Sequence, residues 1–186
     1  MAFGKPQVVE TGVFASPATQ ADSPYELLQA KDGQMSVRCV QSDTTYDTSV
    51  LARPTNADLQ AQRGAFLREI AAWLCTNGPS DPVRESSAVN EVSQALQAEY
   101  SAADLNDDRQ WIQHHDLSQR VPILKDGLAD YDRLAIVEFA ARVGAAGNGI
   151  SQTDAQFIEH LGLGLGLHQD VVAEKVVNAI QSPNAA

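Results

Sequence analysis

The chain predicts an all-α fold of six to seven helices arranged as two pseudo-repeated halves. Three observations point there. Apolar residues recur at spacings of three, four and seven through residues 55–180, the signature of helices buried along one stripe. Hydrophobic residues make up 44% of the chain but aromatic ones only 6%, so the core must be mostly Leu, Val, Ile and Ala, which suits packed helices. Two glycine-bearing elbows, Asn77-Gly78-Pro79-Ser80 and Asn148-Gly149-Ile150-Ser151, lie 71 residues apart, and each separates two periodic stretches. Their shared Asn, Gly and Ser suggest a duplicated helix–elbow–helix unit.

Residues 1–54 differ from the rest and read as an irregular N-terminal arm ahead of a helical domain at residues 55–186. Pro6, Pro17, Pro24 and Pro54 punctuate the arm, with Gly4, Gly12 and Gly33. Ser23-Pro24-Tyr25-Glu26-Leu27-Leu28 reads as the start of a short helix, with Pro24 at its favoured first position. Met35, Val37 and Cys39 alternate with Ser36 and Arg38, a period of two that predicts a strand. Residues 41–45 are turn-like and residues 46–51 can return as a second strand. The arm is therefore either a small β-hairpin or a loosely ordered segment.

The helical stretches follow in order. Asn56 or Asp58 can cap the first, whose stripe is Leu59, Phe66, Ile70, Trp73 and Leu74. Gly78 and Pro79 stop it. The second starts at Pro82, with Val89, Val92, Leu96 and Tyr100 inward. Trp111, Ile112 and Leu117 anchor a short helix or linker, and residues 121–127 form a short turn of helix around Pro122. Asp130 can cap a helix with Leu134, Ile136, Phe139, Ala140 and Val143 inward. After the second elbow, Ser151 caps a helix with Ile158, Leu161 and Leu165 inward and Phe157 beside them. Gly162, Gly164 and Gly166 weaken its last turns, at about 1 kcal/mol each against Ala, or else permit close helix approach. Val172, Val176 and Ile180 serve a final helix, and residues 183–186 are a frayed end.

Charge narrows the function classes. The chain carries 24 acidic and 13 basic residues, a formal charge of −11. Duplex nucleic acid or an anionic membrane would repel it, since both are bound largely by neutralising phosphate. Cations or a basic protein partner fit better. Cys39 and Cys75 read as reduced, semi-buried thiols. Residues 1–10 hold no signal-peptide core, and no run approaches the roughly 18 apolar residues that span a bilayer. The expectation is a soluble cytoplasmic protein without membrane insertion.

Ala146, Ile150, Ser151, Asp154 and Leu161-Gly162-Leu163, or Leu165-Gly166-Leu167, match a pattern of apolar helix, glycine elbow, acid-opened helix and Leu-Gly-Leu ending. In this the chain resembles the TerB-like helical domains of tellurite-resistance proteins, over residues 121–180 and more faintly over 60–100. The resemblance implies an all-helical fold in two pseudo-equivalent halves, and a divalent cation held by elbow carboxylates, as in some members. The chain departs from the pattern at Gly147, where the family has Asp, and at Asn148, where it has Gly. Asn tolerates a left-handed backbone, so the bend survives. Asp154 replaces the usual Glu. The cation candidates are Asn148 and Asp154, with Asn77 and Glu85 (or Asp81) in the first half. Gly147, Gly149, Ser151 and Gly78 shape the elbows. Hard cations need several carboxylate oxygens, so affinity should be weak. The alternative is that Ser151 and Asp154 only cap a helix.

Other chemistry is thin. His114-His115-Asp116 invites a metal reading, but adjacent helical residues point about 100° apart, from 3.6 residues per turn. His160 and His168 lack a paired ligand. All four histidines read as solvated. There is no Gly-x-Ser-x-Gly elbow, Cys75 reads as inert core, and Gly162-Leu163-Gly164-Leu165-Gly166 lacks the Lys-Ser/Thr ending of a phosphate loop. Residues 104–108 read as a solvated helix start, and Asp126, Asp130 and Asp132 as a small negative patch. The functional expectation is a non-enzymatic, cytosolic TerB-like scaffold or stress-response protein that binds a protein partner, with weak divalent-cation binding. The alternative is a structural subunit of a larger assembly whose N-terminal arm grips its neighbours.

Overall fold

The computed structural model describes residues 6–16 and 21–181. Gly4, Pro17 and the predicted frayed end at residues 183–186 lie outside the described residues. The chain divides into two compact units, Met1–Gln60 and Ala61–Ala186.

The first unit corrects the all-α expectation and the irregular arm with it. It is an antiparallel meander of four strands, β1 (Gln7–Ala15), β2 (Asp22–Gln29), β3 (Met35–Cys39) and β4 (Thr45–Tyr46), ordered β1-β2-β3-β4. Only β3 was legible as a strand, through its alternation. The stretch read as a helix start at Ser23 is β2. Tyr25 and Leu27 face the same side as Val37 and Cys39 of β3 and Phe14 of β1, and these residues form one core with Val50, Tyr46 and Leu51. The Phe14 ring lies edge-on to Tyr25 at 6.0 Å and tilted against Tyr46 at 5.8 Å. That cross-strand aromatic packing outweighs the local preference of Pro24 for a first helical turn. The missing Pro24 N–H costs little, because its carbonyl side faces Val40 beyond the end of β3, where the Val40 N–H donates at 2.9 Å. Residues 46–51 form only the end of β4 and a 3-10 turn, Thr48–Ala52, capped by Asp47. β1 escaped detection because its inward side carries one large apolar residue, Phe14. Gly12 there is a packing requirement: a Cβ would meet the Tyr25 ring at 2.6 Å.

Seven α-helices follow among the described residues: α1 (Asn56–Thr76), α2 (Pro82–Leu96), α3 (Ala102–Ile112), α4 (Val121–Gly127), α5 (Asp130–Ala145), α6 (Gln152–Gly164) and α7 (Gln169–Gln181). At the start of α1, Thr55 and Asp58 cap each other, and the Asp22 carboxylate of β2 accepts from the Asn56 and Ala57 N–H groups. The predicted stripes supply the interior of the second unit. Phe66, Ile70 and Leu74 of α1, Val92 of α2, Ile136, Phe139 and Val143 of α5, and Ile158, Leu161 and Leu165 of or just after α6 are buried. Helices α5, α6 and α7 pack on one another, and α2 packs on α5. The glycines of α6 divide in role. A Cβ on Gly162 would collide with Val172 of α7, whereas Gly166, at φ +80°, ends the helix. Along α7 only Val172 is buried, and Ile180 is exposed. No helix among the described residues is long and apolar enough to cross a membrane.

Candidate functional site

Both elbows are tight bends. Helix α5 ends at Ala145, and Gly147 (φ +66°) and Gly149 (φ +83°) turn the chain into α6. Ser151 caps α6 through a reciprocal box with Asp154: the Asp154 N–H donates to Ser151 Oγ at 3.1 Å and the Ser151 N–H to Asp154 Oδ2 at 3.0 Å. In the first elbow the cap of α2 is Asp81, one residue beyond the Ser80 that the sequence alignment singled out. Aligning the caps instead places Arg84 of α2 and Asp154 of α6 at the same third helical position.

Those two residues meet. Arg84 and Asp154 are both buried, and Arg84 Nη1 lies 3.2 Å from Asp154 Oδ2. The same guanidinium donates to the carbonyls of Leu74 (3.2 Å), Gly144 (2.9 Å) and Gly149 (2.6 Å). Leu74 and Gly144 lie in the last turns of α1 and α5, where unpaired carbonyls concentrate negative charge. Asp81 completes the clasp from the other side: its carboxylate accepts from the Asn148 N–H at 2.9 Å and from the N-terminal N–H groups of α2. The Asn148 contact, first among these, holds the Asp81 carboxyl below the usual carboxylate range. A side chain at Gly147 would sit at a φ of +66° and would displace the Asp81 carboxylate from the Asn148 N–H.

Of the four residues named for a cation, Asp154, Asn77 and Glu85 have other side-chain partners, and Asn148 is held through its backbone. Asp154 faces a guanidinium, which supplies the positive charge a metal would bring. Asn148 meets Asp81 through its backbone. Asn77 donates its side-chain amide to the Trp73 carbonyl at 3.0 Å, and Glu85 pairs with Arg109 at 2.7 Å. Among the described residues no group of three or more His, Cys, Asp or Glu side chains is placed to hold a metal ion. The residue that organises the elbows, Arg84, was absent from the sequence reading. The available signal was its place three residues after a capping acid, matching Asp154 in the other half.

The clasp sets the ends of α1 and α6 beside each other, and a pocket of about 590 Å³ opens nearby. Trp73 of α1 and Phe157 of α6 stack with ring centroids 3.9 Å apart, and Phe66, Ile112, Leu117, Val121 and Leu161 extend the apolar wall. The polar lining is Gln113, His114, His115, Asp116, Ser118 and His160. His114, His115 and His160 are exposed, as the solvated reading expects, and all three border one cavity, because the segment after α3 lies near α6. His115 stacks on Trp111 at 3.7 Å, and its Nδ1 lies 2.8 Å from the Trp111 carbonyl, which makes Nδ1 the protonated nitrogen. Ser118 Oγ donates to the Asp116 carboxylate at 2.7 Å, and Asp116 also caps the 3-10 turn Leu117–Arg120. Behind the pocket Arg120 pairs with the buried Glu69 at 2.8 Å and lies 5.7 Å from the Trp111 ring centre. Burial raises the Glu69 carboxyl, and Arg120 offsets this only in part.

The remaining charges brace the unit. Arg68 makes two 2.8 Å bonds to Asp108, which also accepts from Tyr100 Oη at 2.7 Å. Asp108 is therefore a helix-to-helix tie rather than part of a solvated start, while Asp104 caps α3 with Ser101. Burial pushes the Cys75 thiol up to about 11, although Arg109 lies close enough to lower it. The neighbouring cation, which the sequence did not suggest, loses to desolvation.

No family model matches the chain, and no curated protein or solved structure matches it.

Proposed function

We propose that the helical unit is a non-enzymatic cytoplasmic scaffold that receives an apolar side chain of a protein partner in the pocket beside Trp73. The supporting observation is the pocket's lining: stacked Trp73 and Phe157 on an apolar wall, with imidazoles among the polar groups. Its volume, about 590 Å³, lies within the range of pockets that enclose a small ligand or anchoring side chain. The polar groups favour binding over bond-making. Ser118 gives its proton to Asp116, whose carboxylate also accepts from the Ser118 N–H as the cap of the turn Leu117–Arg120, so the pair serves that turn. The charge of −11 favours a partner whose anchoring residue is flanked by Lys or Arg. Kinship with the TerB-like scaffolds is a proposal carried by Ala146, Ile150, Ser151, Asp154 and the Leu-Gly-Leu ending, and a stress-response role follows only from that kinship.

Amide-labelled protein titrated with N-acetyl-tryptophanamide and N-acetyl-leucinamide tests the pocket. Saturable shifts of the Trp73 indole N–H and the His160 amide, with α7 amides unmoved, are expected. Absence of any saturable shift at Trp73 up to the solubility limit of both probes removes the reading.

A further inference from the structure

We propose that Asn148 is a self-modification site: the Gly149 nitrogen closes on its side-chain amide, and the aspartate or isoaspartate that forms loosens the elbow clasp. The inference goes beyond the pocket reading and does not rest on it. The sequence holds two Asn-Gly pairs, Asn77-Gly78 and Asn148-Gly149, one at each elbow. Asparagine is among the thermolabile residues, and a following glycine leaves its nitrogen unshielded by a Cβ. In the reaction the Gly149 nitrogen passes its proton to hydroxide and bonds to Asn148 Cγ. The Cγ–Nδ2 bond breaks and ammonia leaves, giving a succinimide. Water then opens the ring. Cleavage of the new N–Cγ bond leaves aspartate, and cleavage at the main-chain carbonyl leaves isoaspartate, with the chain running through Cβ and Cγ. Water is the only co-reactant consumed.

Both asparagines are exposed, and a Cβ on either glycine would meet nothing within 4 Å, so open space does not separate the two elbows. Hydrogen bonding does. At the first elbow both reacting groups are held. Asn77 Nδ2 donates to the Trp73 carbonyl at 3.0 Å, and the Gly78 N–H donates to the Thr76 carbonyl at 3.1 Å. At the second, neither the Asn148 side chain nor the Gly149 N–H has a partner among the described residues. The groups on either side are pinned instead: the Asn148 N–H donates to Asp81 at 2.9 Å, and the Gly149 carbonyl accepts from Arg84 at 2.6 Å. Ring closure at Asn77 must first break two hydrogen bonds and at Asn148 none, which sets a rate difference of roughly tenfold. The product lands on the clasp. It puts a negative charge on the residue whose N–H the Asp81 carboxylate accepts, and like charges repel. Isoaspartate also lengthens the main chain by one carbon between the Asp81 and Arg84 contacts, so the two cannot keep their present spacing.

Peptide mapping by mass spectrometry tests the site on the folded full chain, held in warm, mildly alkaline, ammonia-free buffer. Exchange of the amide NH2 for OH is expected roughly ten times faster in the peptide holding Asn148 than in the one holding Asn77. In urea that unfolds the chain, the two rates should converge. No conversion at Asn148, a folded-state rate no faster than that of Asn77, or a ratio unchanged by urea overturns the proposal. Asn148→Gln, which keeps the backbone contacts, should abolish the fast conversion, and its persistence overturns the assignment. Ion exchange separates the modified chain by its added charge. Its midpoint in urea should fall below that of the unmodified chain, and an equal midpoint overturns the link to the clasp.

Discussion

Arg84 shows how one side chain can organise two halves. Its charge is buried, and it is tolerated because a carboxylate and three carbonyls surround it at 2.6–3.2 Å. Removing one member of such a pair leaves the other charged and dry, which typically costs about 3–5 kcal/mol. Arg84→Ala should therefore lower unfolding free energy by about that amount in urea titration. A loss below about 1 kcal/mol, the worth of an exposed pair, would mean that the clasp contributes no more than surface ion pairs do. Little of this was legible. The sequence displays Ser151 and Asp154 as a helix start, and the structure forms that cap. It does not display the guanidinium that Asp154 meets, because Arg84 lies 70 positions away and a lone Arg near a helix start ordinarily points to solvent.

At the scale of elements, periodicity served the helices and failed the sheet. Stripes such as Phe66-Ile70-Leu74 and Ile136-Phe139-Val143 are legible because a helix of several turns repeats its buried face many times. The strands of the meander are shorter, and β1 presents one large inward side chain. Tyr25, Phe14 and Tyr46 find one another only in three dimensions, so local signs such as Pro24 pointed to the wrong element. The glycines of α6 are a subtler case, since weak helix and close approach leave the same trace in sequence. The structure separates them at Gly162, where the α7 side chain of Val172 occupies the place of a Cβ. Gly162→Ala should destabilise by about 1–3 kcal/mol, the usual cost of overpacking, despite the better helix propensity of Ala. Gly164→Ala, with Val121 as the nearest neighbour at 3.2 Å, should be milder. Paired thermal melts check the order, and a stabilising Gly162→Ala would show that α6 and α7 are not held at this distance.

For the whole molecule, the proposed interaction surface lies in the helical unit. It is a cavity whose walls come from sequence positions as distant as Phe66 and Leu161. Such convergence is invisible to spacing arguments, which is why His114, His115 and His160 read as unrelated. The gripping arm of the assembly alternative has no counterpart as an irregular segment, for the described N-terminal residues form strands around their own core. The central claim is that a protein occupies the pocket. It is tested most directly by placing the photo-crosslinking residue p-benzoylphenylalanine at position 114, and separately at exposed position 174 on α7, in living cells of the native source. The account predicts a discrete protein adduct from position 114 and none of the same mass from position 174. No protein adduct at position 114, or identical adducts from both positions, would contradict it.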